Sequence, residues 1–150
     1  MATPQSPHHE SRDLDLIVAQ RVMGLVPCPD WEVTNFGSAG GPALMKKRNH
    51  PADRCFPTVT TSSIYGTIGG PRRYSTDIRA AWELVEHLLA YFQPAGFRAE
   101  FTQGSGWKVG LRSTRARRWK WARGDKVPEA ICRAALAVTH AGSNGREGRN

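Results

Sequence analysis

Residues 97–122 read FRAEFTQGSGWKVGLRSTRARRWKWA, and the reading of this stretch decides the fold. Phe97, Ala99 and Phe101 alternate with Arg98 and Glu100. Beyond Gly104 and Gly106, Trp107, Val109 and Leu111 alternate with Lys108, Gly110 and Arg112. A period of two on both sides of a glycine turn specifies an antiparallel hairpin with one apolar and one polar face. Ser113 to Arg117 reads as a second turn. Arg118 to Ala122 then alternates again, which adds a third strand. On this alternation Trp107, Trp119 and Trp121 are expected on the covered face, with the cations on the wet one.

Helices flank this meander. Ile78, Ala81, Trp82, Val85, Leu88, Leu89 and Phe92 recur at three- and four-residue steps. They predict an amphipathic helix capped by Ser75 or Thr76, with Asp77 in its first turn and Pro94 and Gly96 closing it. His87 is read as a surface histidine. Towards the N-terminus, Leu14, Ile17, Val18, Val22 and Leu25 predict a helix that starts at Ser11 or Asp13 and ends at Gly24, with the Arg21 stem along the core edge. After the meander, Pro128 suits the first turn of a last helix. Its apolar side is Ile131, Ala134, Ala135 and Val138. Helix, irregular segment, helix, three antiparallel strands, helix is the order of an α+β layered sandwich.

The remainder is loop-like by composition. Residues 1–10 and 141–150 are polar or glycine-rich and are expected to be disordered tails around one domain at 11–140. That domain carries a long Pro/Gly-rich insertion at about 25–73, with candidate strands at Trp31–Val33 and Thr58–Tyr65. Gly66–Gly70 is expected to be a flexible turn. It lacks the Lys-Ser/Thr ending of a phosphate loop.

Charge is the second guide. From Trp107 to Lys126, eight Lys or Arg side chains face one acid, Asp125, which leaves +7 against +8 for all 150 residues. A local positive field beside aromatic rings suits an anionic ligand with stackable rings. Arg112, Arg115, Arg117, Arg118, Lys120 and Arg123 are the candidate ligand-binding residues. The partner so implied is a nucleic acid or nucleotide, with no cofactor. No segment approaches the ~20 apolar residues of a membrane span, and no export signal is evident, so the expected location is the cytoplasm.

Catalytic patterns are missing: there is no Walker loop, H-E-x-x-H or G-x-S-x-G. Glu83 and Glu86 share a helix face, and Cys28, His50 and Cys55 offer zinc-type ligands without the close paired spacing of structural sites. Loop or core roles for the cysteines and a solvated face for the glutamates are the plainer readings, and a non-catalytic protein is expected.

LDLIVAQRVMG (14–24), YSTDIRAAWELVEHL (74–88) and VPEAICRAALAV (127–138) resemble, in the same order, the helices of the phage ABA sandwich family of small phage and prophage proteins. The resemblance implies a three-layer α/β/α sandwich with a mainly antiparallel sheet, three helices and a gene carried by a bacteriophage or prophage. It implies no catalytic motif. The chain departs from the family pattern in the length of 25–73 and in its basic stretch. Three functions from different classes are therefore expected candidates. The first is a phage accessory protein that binds an anionic partner through the basic hairpin, in counter-defence. The second is an interaction module for an acidic host protein, anchored by Trp31, Phe36 or Phe56. The third is a small enzyme with an unrecognised site. Monomer and homo-oligomer both remain open at this stage.

Overall fold

The computed structural model describes residues 7–35, 41–46, 54–63, 66–91, 94–113 and 117–143. The chain divides into two compact units, one formed by Met1–Met23 with Arg73–Asn150 and the other by Gly24–Arg72. Three helices and a mostly antiparallel set of strands make it an α+β sandwich.

In the first unit, α1 (Pro7–Arg21), α2 (Ile78–Tyr91) and α3 (Val127–Ser143) accompany a three-stranded sheet of β7 (Pro94–Thr102), β8 (Gly106–Ser113) and β9 (Trp119–Gly124), in the order β7-β8-β9. Both pairings are antiparallel. α3 lies on β8 and β9 and also meets α1 and α2. Its alanines make this central place available: Ala130, Ala134 and Ala135 are fully buried together with Ile131 and Cys132. Close approach extends to the sheet, because a Cβ on Gly124 would stand 2.6 Å from the Ala130 nitrogen. Val109 and Leu111 fill the sheet side of this core, and Val18, Leu84 and Leu88 the helix side. Each such side chain contributes about 1.5–3 kcal/mol on full burial.

Several local expectations are corrected. α1 begins at Pro7, ahead of Ser11, since a proline at the first helical position forfeits no hydrogen bond. Its buried stripe is Asp15, Val18, Ala19 and Val22, rotated from the predicted one, so that Leu14 and Ile17 are only half-buried. Asp77, and neither Ser75 nor Thr76, caps α2 by accepting the Arg79 N–H at 2.8 Å. The Ser75 N–H instead donates to the buried Asp15 carboxylate at 2.6 Å, and its hydroxyl donates to the Ser11 carbonyl at 3.2 Å. His87 is half-buried and hydrogen-bonds the Val22 carbonyl at 3.1 Å, which ties α2 to the end of α1. α3 runs to Ser143, past the predicted tail boundary, and 144–150 lie outside the described residues.

Among the described residues the second unit holds three strand pairs. β1 (Val26–Cys28) runs parallel to β4 (Cys55–Pro57). β2 (Trp31–Asn35) is antiparallel to β3 (Pro42–Lys46). β5 (Thr60–Ser63) is antiparallel to β6 (Gly66–Gly69). The segment read as a glycine turn is thus a strand, held because Gly66 to Gly69 pair residue by residue with Ser63 to Thr60. Ile64 and Tyr65, at the end of the predicted strand, lie outside the described residues.

Candidate functional site

Opposed residues of an antiparallel sheet share a face, and successive residues alternate between faces. Val109 stands opposite Ala99 and Ala122, and Leu111 opposite Phe97 and Lys120. These positions belong to the face that α3 covers. The other face follows from the same register as three rows: Gly96, Arg112 and Trp119; Arg98, Gly110 and Trp121; Glu100, Lys108 and Arg123. Four cations against one acid give this face a net +3.

Trp119 and Trp121 therefore lie away from the core, contrary to the expectation from alternation. The two rings are stacked at 5.6 Å between centroids with 29° between planes. Glycines make room for them. A Cβ on Gly96 would stand 2.9 Å from Cη2 of Trp119, and one on Gly110 2.8 Å from Cε3 and Cζ3 of Trp121. Neither glycine has a positive φ, so the use made of it is the missing side chain. Each indole thus lies against backbone and is half-buried.

Cations lie over the rings. The Arg98 guanidinium carbon is 4.9 Å from the Trp119 ring centroid, that of Arg112 5.9 Å from the same ring, and Lys108 Nζ 4.4 Å from the Trp121 ring. Each such contact contributes about 0.5–1 kcal/mol at an exposed site. Arg98, Arg112 and Arg123 are exposed, and Lys108 is half-buried. The result is an aromatic pair accompanied by cationic donors of the kind that pair with anions.

The predicted ligand-binding residues divide accordingly. Arg112 and Arg123 are on this face. Lys120 is exposed on the opposite face, across from Leu111. Arg117 and Arg118 are exposed at the turn before β9, where Arg117 takes a φ of 48°. Arg115 lies outside the described residues. Sequence reasoning left Arg98 and Lys108 out of the candidate set and put Trp119 and Trp121 in the core. The signal that finds them is Gly96 and Gly110, two side-chain vacancies on one face that call for large partners in the next strand.

The other candidates do not converge on a reaction. Glu86 is exposed and Glu83 half-buried on α2. Cys28 and Cys55 sit on the paired strands β1 and β4, where burial, with Cys55 and Asp30 as neighbours, raises the Cys28 thiol above its ordinary value despite a hydrogen bond from the Asp30 backbone. His50 lies outside the described residues. Among the described residues no three His, Cys, Asp or Glu side chains come together as a metal site. Of the proposed protein-docking anchors, Phe56 is buried at 6% exposure, Trp31 is half-buried in β2, and Phe36 lies outside the described residues. A cleft of about 540 Å³ is lined by Asp13, Ile17, Thr76, Lys126 and Arg133 among others. Its polar wall is engaged internally: Arg133 pairs with Glu129 at 2.7 Å, and Glu129 accepts the Asp125 N–H at 3.0 Å. Among the described residues no helix is long and apolar enough to cross a membrane.

Fold and face together define a small α+β sandwich protein with a basic, tryptophan-bearing sheet surface. The chain belongs to the phage ABA sandwich domain family, whose profile matches residues 16–136. It is similar in fold to the crystal structure of a phage protein from Bacillus cereus ATCC 14579, with 18% identity, 93% of each chain covered and a TM-score of 0.52. No curated protein matches the chain.

Proposed function

We propose that the Trp119–Trp121 face of the sheet binds single-stranded nucleic acid, and that this phage-family protein acts by binding, without turnover. The observation that supports this reading is the side-by-side placement of two accessible indoles with Arg98, Lys108 and Arg112 on the face opposite the core. A base stacked on an aromatic ring contributes about 1–3 kcal/mol, and guanidinium groups supply charge-assisted hydrogen bonds to phosphate. A flat sheet reaches base faces only where the bases are unstacked, which favours a single strand over a duplex. In an infected cell the protein would act in the cytoplasm, and a role in counter-defence extends the reading. Deleting its gene should then lower phage plating only on hosts whose defences act on nucleic acid.

Fluorescence anisotropy with a labelled oligothymidylate tests the binding itself. Trp119→Ala and Trp121→Ala should each weaken the affinity about 5- to 150-fold, the equivalent of one lost stack. At about −0.7 per neutralised phosphate, four cations limit the log–log salt slope to about −3. Wild-type protein that fails to bind, or tryptophan variants that bind as wild type does, would refute the proposal. Binding of mononucleotide with equal strength would refute the single strand as the ligand.

A further inference from the structure

The sheet ends at β7, an edge whose proline and bulge are confined to its start at Pro94–Gly96. β7 spans nine residues, Pro94–Thr102, and pairs only with β8 among the described strands. Arg98 to Thr102 are all exposed, with Phe101 at 62%. Natural edges are commonly short, bulged or guarded by proline and lysine. Over Gly96–Thr102 this strand has no proline, no lysine and no bulge.

We propose that β7 joins a second copy of this chain, antiparallel about a two-fold axis at Ala99. The strand is self-complementary in that register alone. Arg98 falls opposite Glu100 of the second copy, and Glu100 opposite its Arg98, so both charge pairs form at once on the basic face. On the other face Phe97 meets Phe101 of the second copy twice, with the small Ala99 pair between them. Moving the axis by one residue puts Arg98 opposite itself or Glu100 opposite itself, and like charges directly opposed destabilise a pair of strands. Arg98 can serve both roles, since its guanidinium keeps five donors beside its contact with the Trp119 ring.

The apolar surface continues onto α2. Trp82 meets Phe97 edge-on at 5.9 Å and 85°. Ile78, Trp82 and Leu89 are 52%, 50% and 50% exposed. They fall within about 40° of one another around the helix at about 100° per residue. The two-fold joins the two sheets into one of six strands. The dimer so formed carries two tryptophan faces on the same side. Its formation does not depend on what those faces bind.

The test is the mass in solution, by sedimentation equilibrium on nucleic-acid-free full-length protein at micromolar concentration. Wild type should have twice the 16.6 kDa of one chain. Glu100→Arg places two arginine pairs across the axis and should return it to the single-chain mass. Arg98→Glu/Glu100→Arg, which exchanges the partners in both pairs, should restore the dimer. Circular dichroism melting identifies any variant that fails to fold, and the restored double variant guards against that reading of the single one. A wild-type mass of 16.6 kDa, a dimer that persists in Glu100→Arg, or a folded exchange variant that stays single would each overturn the proposal.

Discussion

Gly110→Ala tests the placement of Trp121 more sharply than removal of the tryptophan itself. In an ordinary strand interior alanine is better than glycine by about 0.5–1 kcal/mol, because glycine loses more backbone entropy on folding. Here the new Cβ would stand 2.8 Å from Cε3 and Cζ3 of Trp121 and 2.9 Å from Cδ2. Ordinary contact begins near 3.4 Å, so the ring has to lift by more than half an ångström, and its contact with Lys108 Nζ at 4.4 Å goes with it. Overpacking of this kind costs about 1–3 kcal/mol. The expected result is net destabilisation in the wild type and a reversal of sign in a Trp121→Ala background, where nothing opposes the Cβ. The backbone gain cancels in the double-mutant cycle, so the coupling energy should equal the overpacking cost, about 1–3 kcal/mol, above the scatter between independent sites. Urea denaturation of the four proteins measures it. Equal effects of Gly110→Ala in both backgrounds would show that the indole does not lie over Gly110, and the site would lose its geometric basis.

Two further outcomes follow from the same structure. Asp15→Ala leaves the buried Ser75 N–H without its acceptor and should cost about 1–3 kcal/mol, whereas Asp15→Asn keeps an acceptor and should cost less. Burial raises the Asp15 carboxyl above its ordinary 3.8, while hydrogen bonds from Ser75 and the charge of Arg73 pull it down. The folded protein thus holds this proton more tightly than the unfolded chain does. Its stability contribution is complete below 3.8 and is lost as pH rises through the folded-state value, and Asp15→Asn should remove that part of the pH dependence of urea midpoints. Leu111→Ala should cost about 2–5 kcal/mol as a buried truncation, and Lys120→Ala, directly opposite it on β9 and exposed, less than about 0.5 kcal/mol. A large loss at Lys120 would contradict its exposure at the margin of the covered face.

The three helices and the strands of the meander were legible because each carries its own periodicity, whereas β1, β3 and β4 are too short or too proline-broken to show one. Phe97 to Leu111 alternates cleanly, and the hairpin appears where the glycines interrupt it. Faces were harder to read than elements. Trp119 and Trp121 look like core residues by hydrophobicity, yet Trp121 stands opposite Gly110, one step out of phase with Val109. One residue of register reverses every side chain, and β9 has only Ala122 to mark its covered face. The α1 stripe was misplaced for a related reason, since its buried face includes a carboxylate, Asp15, whose partner is 60 residues away. A polar residue satisfied by a distant backbone group leaves no local pattern. β6 was missed because glycine carries no strand propensity, and its pairing comes from the complementary run Thr60–Ser63.

The central claim is that Trp119 and Trp121, among five tryptophans, form the ligand face. The indole N–H resonances of ¹⁵N-labelled protein report all five at once during titration with oligothymidylate. Shifts at Trp119 and Trp121 that saturate together, with Trp31, Trp82 and Trp107 unmoved, are the predicted result. Unchanged Trp119 and Trp121 signals at saturating oligonucleotide, or shifts confined to the other three, would contradict it.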